Sequence, residues 1–309
     1  GVNIGWYEAQ DYTYEKTFIL PEKAKDEKVI LEFEGVYHNA EVHLNGEKIA
    51  SCPYGYSDFY ADLTGKLLPG RDNVLEVIAH NADQPNSRWY SGAGIYRPVT
   101  LWTAPARHIL PDGVQVRTLS IDPAEVEVTV QTTASGAVAV AILDGEQTVA
   151  TAQAESNGKA VLRVQIPNAK LWSPDSPALY RCRAMFGDDC AETTFGVRTL
   201  SWGDDGFLLN GKRVILLGAC VHHDHGVLGA CCYPEAEERK VRLLQKVGYN
   251  AVRCAHNPCS KAFLDACDRL GMLVMDEYAD MWYIHKTQYD YAGYLPDHWR
   301  QDLESLVRK

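Results

Sequence analysis

No stretch of this chain approaches the roughly 18 consecutive apolar residues that a membrane-crossing helix needs, so a helical span is excluded. Positive charge is also scarce: 30 Lys and Arg stand against 41 Asp and Glu, a net charge of −11. That balance argues against nucleic acid or an anionic membrane as a partner and favours a neutral or cationic ligand. Nine cysteines occur, but none forms a C-x-x-C pair. Without ligand spacing or an even framework they read as reduced thiols, most of them small buried hydrophobes, in a reducing, cytoplasmic compartment. Cys231 and Cys232 are adjacent, which leaves oxidation open there. Neither a metal nor another cofactor is expected.

The remaining composition is that of an ordinary globular protein. With 46% hydrophobic and 23% charged residues over 309 positions, two or three domains are expected. Residues 1–104 read as all-β. Val29, Leu31 and Phe33 alternate with polar or outward residues, as do Ala40, Val42 and Leu44, and Asn45-Gly46 is a strong type I′ hairpin signal. Further strands are read at Tyr14–Phe18, Val74–Ile78 and Val99–Trp102. Short strands with turns between them, and no helical periodicity, predict a sandwich of jelly-roll type. Inside this region, residues 81–97 form a long loop carrying Asn86, Arg88, Trp89, Tyr90, Gly92, Gly94 and Arg97. Aromatic faces beside polar groups suit a sugar. A packed interdomain loop fits equally well.

Residues 105–203 read as a second all-β domain, an immunoglobulin-like sandwich without a disulfide. Seven strands are expected at 113–119, 125–131, 137–143, 147–153, 159–165, 179–186 and 190–197. Asp144-Gly145 and Asn157-Gly158 are read as hairpin turns. No residue there suggests chemistry, so it serves as a spacer.

From residue 204 the pattern changes to alternating strands and helices. Apolar runs at 214–218, 249–254 and 272–276 predict parallel strands buried on both faces. Each ends in polar residues: His222, His223, Asp224 and His225 after the first, Arg253, His256 and Asn257 at the second, Asp276 and Glu277 at the third. Polar groups at the C-terminal ends of parallel strands mark the site of a (β/α) barrel or an open α/β sheet. One helix is expected to start at Pro234, to carry Val241, Leu244 and Val247 as its apolar stripe, and to end before Gly248. A second is capped by Ser260 and stopped by Gly271, and a third starts near Pro296. The loop 278–291, with Asp280, Trp282 and His285, is too long and too polar to be a mere connector.

These motifs, in this order, resemble glycoside hydrolase family 2, which includes β-galactosidases, β-glucuronidases and β-mannosidases. The segments carrying the likeness are Gly5-Trp6-Tyr7, residues 87–99, Leu171-Trp172-Ser173-Pro174, and the three strand ends with their His222, Arg253-Cys-Ala-His256-Asn257-Pro258 and Asp276-Glu277. The resemblance implies a jelly roll, an immunoglobulin-like domain and the first part of a (β/α)8 barrel. It also implies that the jelly roll's opening strands precede Gly1. The implied chemistry is retaining hydrolysis by two glutamates about 5 Å apart. In the family the acid/base follows an asparagine at strand four and the nucleophile ends strand seven. No Asn-Glu dipeptide is present and only three barrel strands are legible, so both are expected after Lys309.

What the resemblance assigns to these residues is a supporting shell. His222 and His256 would contact the sugar or its transition state, and Arg253 would hold the nucleophile. Asn257 and Asp224 would reach the same rim, and Asp280 and Trp282 would line the pocket. Arg88 and Trp89 would lean over the barrel mouth from the jelly roll. His223 and His225 are read as structural, and Glu277 as a partner for a nearby arginine or histidine. Family members that bind magnesium carry Glu-Thr-His where this chain has Asp280-Met281-Trp282, so no metal is implied. The loop sequences look more like bacterial β-galactosidases, with a β-galactoside as the expected substrate; β-glucuronidase stays open, and a homo-oligomer is compatible with the sequence. Two other classes compete. His223-x-His225 at a strand end suggests a metal-dependent amidohydrolase. A chain ending at Lys309 would be a non-catalytic carbohydrate-binding protein.

Overall fold

The computed structural model describes residues 10–89 and 91–309. Gly5-Trp6-Tyr7 and Tyr90 lie outside the described residues. The first sandwich pairs a sheet of β1 (Tyr12–Ile19), β7 (Asp72–Ala79), β4 (Ala40–Leu44) and β5 (Glu47–Cys52), in that order, with a sheet of β6 (Phe59–Asp62), β2 (Lys28–Phe33) and β9 (Val99–Ala104). A small ladder joins β3 (Val36–Tyr37) to β8 (Gly94–Ile95). The alternation in β2 and β4 sends Val29, Phe33, Val42 and Leu44 into one core, where Phe33 stacks on Phe59 at 4.9 Å. The Asn45-Gly46 turn has positive φ at both residues, as its sequence requires. Gly94 also has positive φ, and a Cβ there would meet the Tyr14 hydroxyl at 2.0 Å.

The second sandwich differs from the seven short strands expected. β11 (Ala124–Asp144) and β12 (Gln147–Gln165) are continuous and pair along nearly their whole length. β10 (Ile109–Ile121) pairs with the first half of β11, whereas β15 (Tyr180–Phe186), itself paired with β16 (Asp189–Phe195), takes the second half. The two long strands therefore bend from one layer of the sandwich into the other. Asn157-Gly158 is not a hairpin turn. It lies inside β12, where the register slips between Gln131 and Ser135 and Gly158 takes φ +90. The positive-φ residue that would serve a turn serves a bend instead. Asp144-Gly145 does turn the chain, because Asp144 pairs with Gln147.

Trp172, fully buried in a two-residue strand, β13 (Trp172–Ser173, paired with β14, Ser176–Pro177), reaches out of this sandwich. Its Nε1–H donates to the Asp268 carbonyl at 2.8 Å, and the Arg198 guanidinium lies over its ring. The Leu-Trp-Ser-Pro segment is thus a joint between the spacer and the α/β part. A ribbon of β17 (Leu200–Gly203), β18 (Gly206–Leu209) and β19 (Lys212–Arg213) leads on.

The α/β part contains the parallel sheet β20 (Gly218–Val221), β21 (Ala251–Cys254) and β22 (Leu273–Asp276). Helices α1 (Pro234–Lys246) and α2 (Lys261–Leu270) cover one face, and α3 (Leu295–Arg308) follows the long loop. The cap signals hold: Ser260 Oγ accepts from Phe263 N, and Gly271 is left-handed. Three expectations are corrected. The first strand is 218–221 rather than the apolar run before it, and Ile215 and Leu217 in that run are exposed. The strands are covered on one face only; Met275 and the other side of the sheet open onto a cavity of about 620 Å³ walled by Trp202 and Phe207. Apolarity on both strand faces needs a second covering layer, and these residues form only one. Val247 is exposed at the end of α1, and the buried partner of Val241 there is Glu237.

Candidate active site

The three strand ends converge as the sequence predicts. Arg253 lies on β21, and its Nε donates to Glu277 Oε1 at 2.6 Å. The other oxygen of Glu277 accepts the backbone N–H of His256 at 2.5 Å. One carboxylate therefore fixes the guanidinium and the loop that follows it. This matters because His256 has φ +81, a left-handed conformation costly to a non-glycine residue. Asp276, its neighbour, turns the other way and accepts from Cys259 N. Alternation along the strand separates the two carboxyls, so they are not a catalytic pair.

The His256 ring is held from above by the jelly roll. Trp89 stacks on it at 3.7 Å and 16°. Arg88 donates to Asp280 at 2.8 Å, Lys286 approaches the same carboxylate at 2.6 Å, and His256 Nδ1 lies 3.7 Å from its other oxygen. Burial alone would raise the Asp280 pKa, but the hydrogen bonds from Lys286 and Arg88 outweigh it and hold the group below the usual range. Burial moves His256 the other way, lowering its pKa against the pull of Asp280, so the imidazole is neutral at neutral pH. It can then both donate to and accept from hydroxyls. His222 lies beside it, with ring centroids 5.3 Å apart.

Half-buried His223 and buried Asn257 lie beneath this rim. Arg97 Nη2 approaches His223 Nδ1 at 3.5 Å, and His223 Nε2 donates to Asn257 Oδ1 at 2.5 Å. Burial, then the Arg97 charge, holds this imidazole neutral, well below its ordinary pKa. His225 instead faces Glu237 at 3.2 Å. Glu237 is kept ionised, at about 2, by His225 and Lys240 although burial opposes it. The two histidines thus have separate partners, and no three-donor cluster among the described residues contains either. The metal-dependent amidohydrolase reading lacks its ligand set.

Of the other expected site residues, Asp224 is exposed and lies 3.9 Å from Lys240 of α1. Trp282, expected to line the pocket, is 58% exposed. The cavity enclosed beneath Trp89, His256, Tyr37 and Tyr289 is about 30 Å³. That is room for water only. Arg253 and Glu277 are partly exposed on the open side of the shell.

The jelly roll is seated on the barrel partly by Asn86 and Arg97 of the 81–97 loop, and partly by Tyr54 and Asp302, which the sequence did not single out. Arg97 is buried and donates to the carbonyls of Glu34, Tyr56 and Pro258. Tyr54 stacks on Tyr291 at 4.2 Å and donates to the Tyr278 carbonyl. Asp302 of α3 accepts from Ser57, Tyr278 and Tyr291. Asn86 ties the loop down, accepting from the Tyr37 hydroxyl and donating to His38 and Asn81. Several tyrosines near one another in sequence were the available signal.

Three family models match in series: the glycosyl hydrolase 2 galactose-binding domain-like model over residues 2–107, the glycosyl hydrolases family 2 model over 112–198, and the family 2 TIM barrel domain model over 201–290. The β-galactosidase BoGH2A of Bacteroides ovatus is 38% identical over 98% of this chain, which spans 37% of that protein. A β-glucuronidase of Paenibacillus borealis is 27% identical over 86% of this chain, which spans 49% of it. The crystal structure of a family 2 member from Bacteroides cellulosilyticus superposes with a TM-score of 0.91 at 36% identity, covering 97% of this chain and 41% of that one. The chain spans less than half the length of these relatives. With all three family models in order along it, and the fold of a solved member reproduced, the chain belongs to glycosyl hydrolase family 2.

Proposed function

We propose that these residues are the sugar-contacting shell of a retaining exo-β-glycosidase that hydrolyses terminal β-D-galactosides. The observation that carries the reading is the arrangement at the strand ends. Glu277 fixes both Arg253 and the backbone of His256, while the jelly roll closes over them through Trp89 and Arg88. A fixed guanidinium beside an open face suits the task of keeping a nucleophilic carboxylate ionised. A neutral imidazole suits sugar hydroxyls. On this reading the reaction is a double displacement by a pair of glutamates, for which the residues described above are the supporting shell. The preference for galactose rests on the loop sequences and on the 38% identity to a β-galactosidase. β-Glucuronides are the second reading, because β-glucuronidases are also among the relatives.

The test is hydrolysis of aryl β-galactosides and aryl β-glucuronides by the whole protein. Turnover of the galactoside alone supports the proposal, and turnover of the glucuronide alone replaces it. Sugar binding without turnover would make this a carbohydrate-binding protein. His256→Ala should lower kcat/KM by ~10² or more, on the order of one preorganised hydrogen bond lost in the transition state. An unchanged kcat/KM would remove His256 from the shell.

A further inference from the structure

Directly beneath the His256 loop lies a group of side chains that the shell does not use. Cys254 ends β21, Cys259 closes the loop, and Asp276 ends the adjacent strand β22. One potential ligand atom from each lies within 4.8 Å of the others, and both cysteines are buried. Neither is in a disulfide. The sequence hides this grouping. Cys254 and Cys259 are five positions apart, outside the C-x-x-C pattern, and the third donor comes from a parallel neighbour that only the sheet register brings alongside: Cys254 pairs with Asp276.

We propose that Cys254, Cys259 and Asp276 form a binding site for one thiophilic divalent cation, of the zinc class, that clamps the loop carrying His256 and Asn257. Two sulfurs on one tetrahedral zinc lie roughly 3.8 Å apart, given bonds of about 2.3 Å. The observed separations need only a small contraction. Soft sulfur donors select zinc or cadmium over magnesium or calcium, whose sites are built from oxygen. The fourth position has a source: a water-sized cavity of about 10 Å³ is lined by both cysteines, with His222, His223 and Ser260 around it.

Charge also balances. Two thiolates and a carboxylate carry −3, and a dication leaves −1. Lys309 Nζ donates to Cys259 O at 2.9 Å but its charge is paired with Asp58 at 2.9 Å, so the remaining −1 is offset by Arg97, which donates to Pro258 O at 2.6 Å. Binding expels the two thiol protons to solvent and involves no change of oxidation state. The ion would tie the two ends of the segment 254–259 together, and that segment holds the strained His256.

The experiment uses the whole protein, reduced and stripped with chelator, then titrated anaerobically with Co²⁺. Cobalt occupies tetrahedral zinc sites, and its thiolate bonds give an intense charge-transfer band. The band should saturate at one equivalent and be bleached by one equivalent of Zn²⁺. It should be lost in Cys254→Ser and in Cys259→Ser and kept in Cys190→Ser, an exposed control. Folded wild-type protein without the band, or a band surviving in both variants, overturns the site. So does a protein isolated without reductant that is two hydrogen atoms lighter, with Cys254 and Cys259 joined as a disulfide. Both cysteines belong to the core under α2, so a serine variant that fails to fold is replaced by a measurement on the wild type. In intermediate urea, Zn²⁺ should slow alkylation of Cys254 and Cys259 at least tenfold and leave Cys190 unchanged. Equal rates with and without Zn²⁺ overturn the proposal.

Discussion

At Glu34, local sequence gives no warning of what the fold does to the side chain. It ends a β-strand pattern and looks like any outward-facing acid, yet one of its carboxyl oxygens is buried without a hydrogen-bond partner. Burial, then the charges of Asp58 and Glu32, push its pKa up to about 7 from 4.5. The folded state therefore holds a proton that the unfolded chain releases. The resulting stability is fully present below pH 4.5 and is lost as pH rises through about 7. Glu34→Gln mimics the protonated form. Its Tm should match the wild type near pH 4.5 and exceed it by a growing margin toward neutral pH. Thermal melts across that range check this; a difference independent of pH would show that the Glu34 proton is not involved.

Among the elements, helix α2 shows how legible caps can hide a tertiary role. Ser260 is the N-cap that its sequence context predicts, and it accepts from Phe263 N at 3.1 Å. The same hydroxyl also donates to Glu237 of α1 at 3.2 Å. Losing the cap costs about 1 kcal/mol, and removing a donor from a buried carboxylate adds a similar amount. Ser260→Ala should therefore destabilise by about 2 kcal/mol, and Ser260→Thr by less, as measured by urea unfolding. A loss confined to a few tenths would mean that the Glu237 contact contributes nothing. The long strands β11 and β12 teach the converse. Gly158 carries a turn signal that a local reading takes at face value, but continuous pairing across the register slip makes it a bend.

Over the whole molecule, the jelly roll and the α/β part share an aromatic and apolar cluster that includes Tyr37, Tyr54, Tyr96, Met281, Tyr291 and Leu295, and buried polar groups cross between the parts as well. Arg97 links the jelly roll to the barrel loop, and Asp302 gathers three hydroxyls. Lys261 of α2 reaches Glu32 of the jelly roll at 2.5 Å and Asp112 of β10 at 2.8 Å. Arg97→Met keeps the bulk and removes the donors, leaving the Glu34, Tyr56 and Pro258 carbonyls short of partners. The loss should be about 3 kcal/mol or more. Because this contact spans two domains, calorimetry should show the jelly roll melting apart from the rest. A single transition at the wild-type Tm would show that the aromatic cluster alone holds the interface.

The sequence by itself determined the order of sandwich, sandwich and α/β part, the caps of α1 and α2, and the polar strand ends. Each is a short-range property: side-chain alternation, a positive-φ turn residue or a capping hydroxyl is satisfied within a few residues of itself. Only the tertiary structure decided that Glu277 serves Arg253 and His256, that Asp224 turns to Lys240, and that Cys254, Cys259 and Asp276 meet. Those facts depend on which strand ends lie side by side and which loops cross them. Register and domain docking set both, through contacts between residues far apart in the chain.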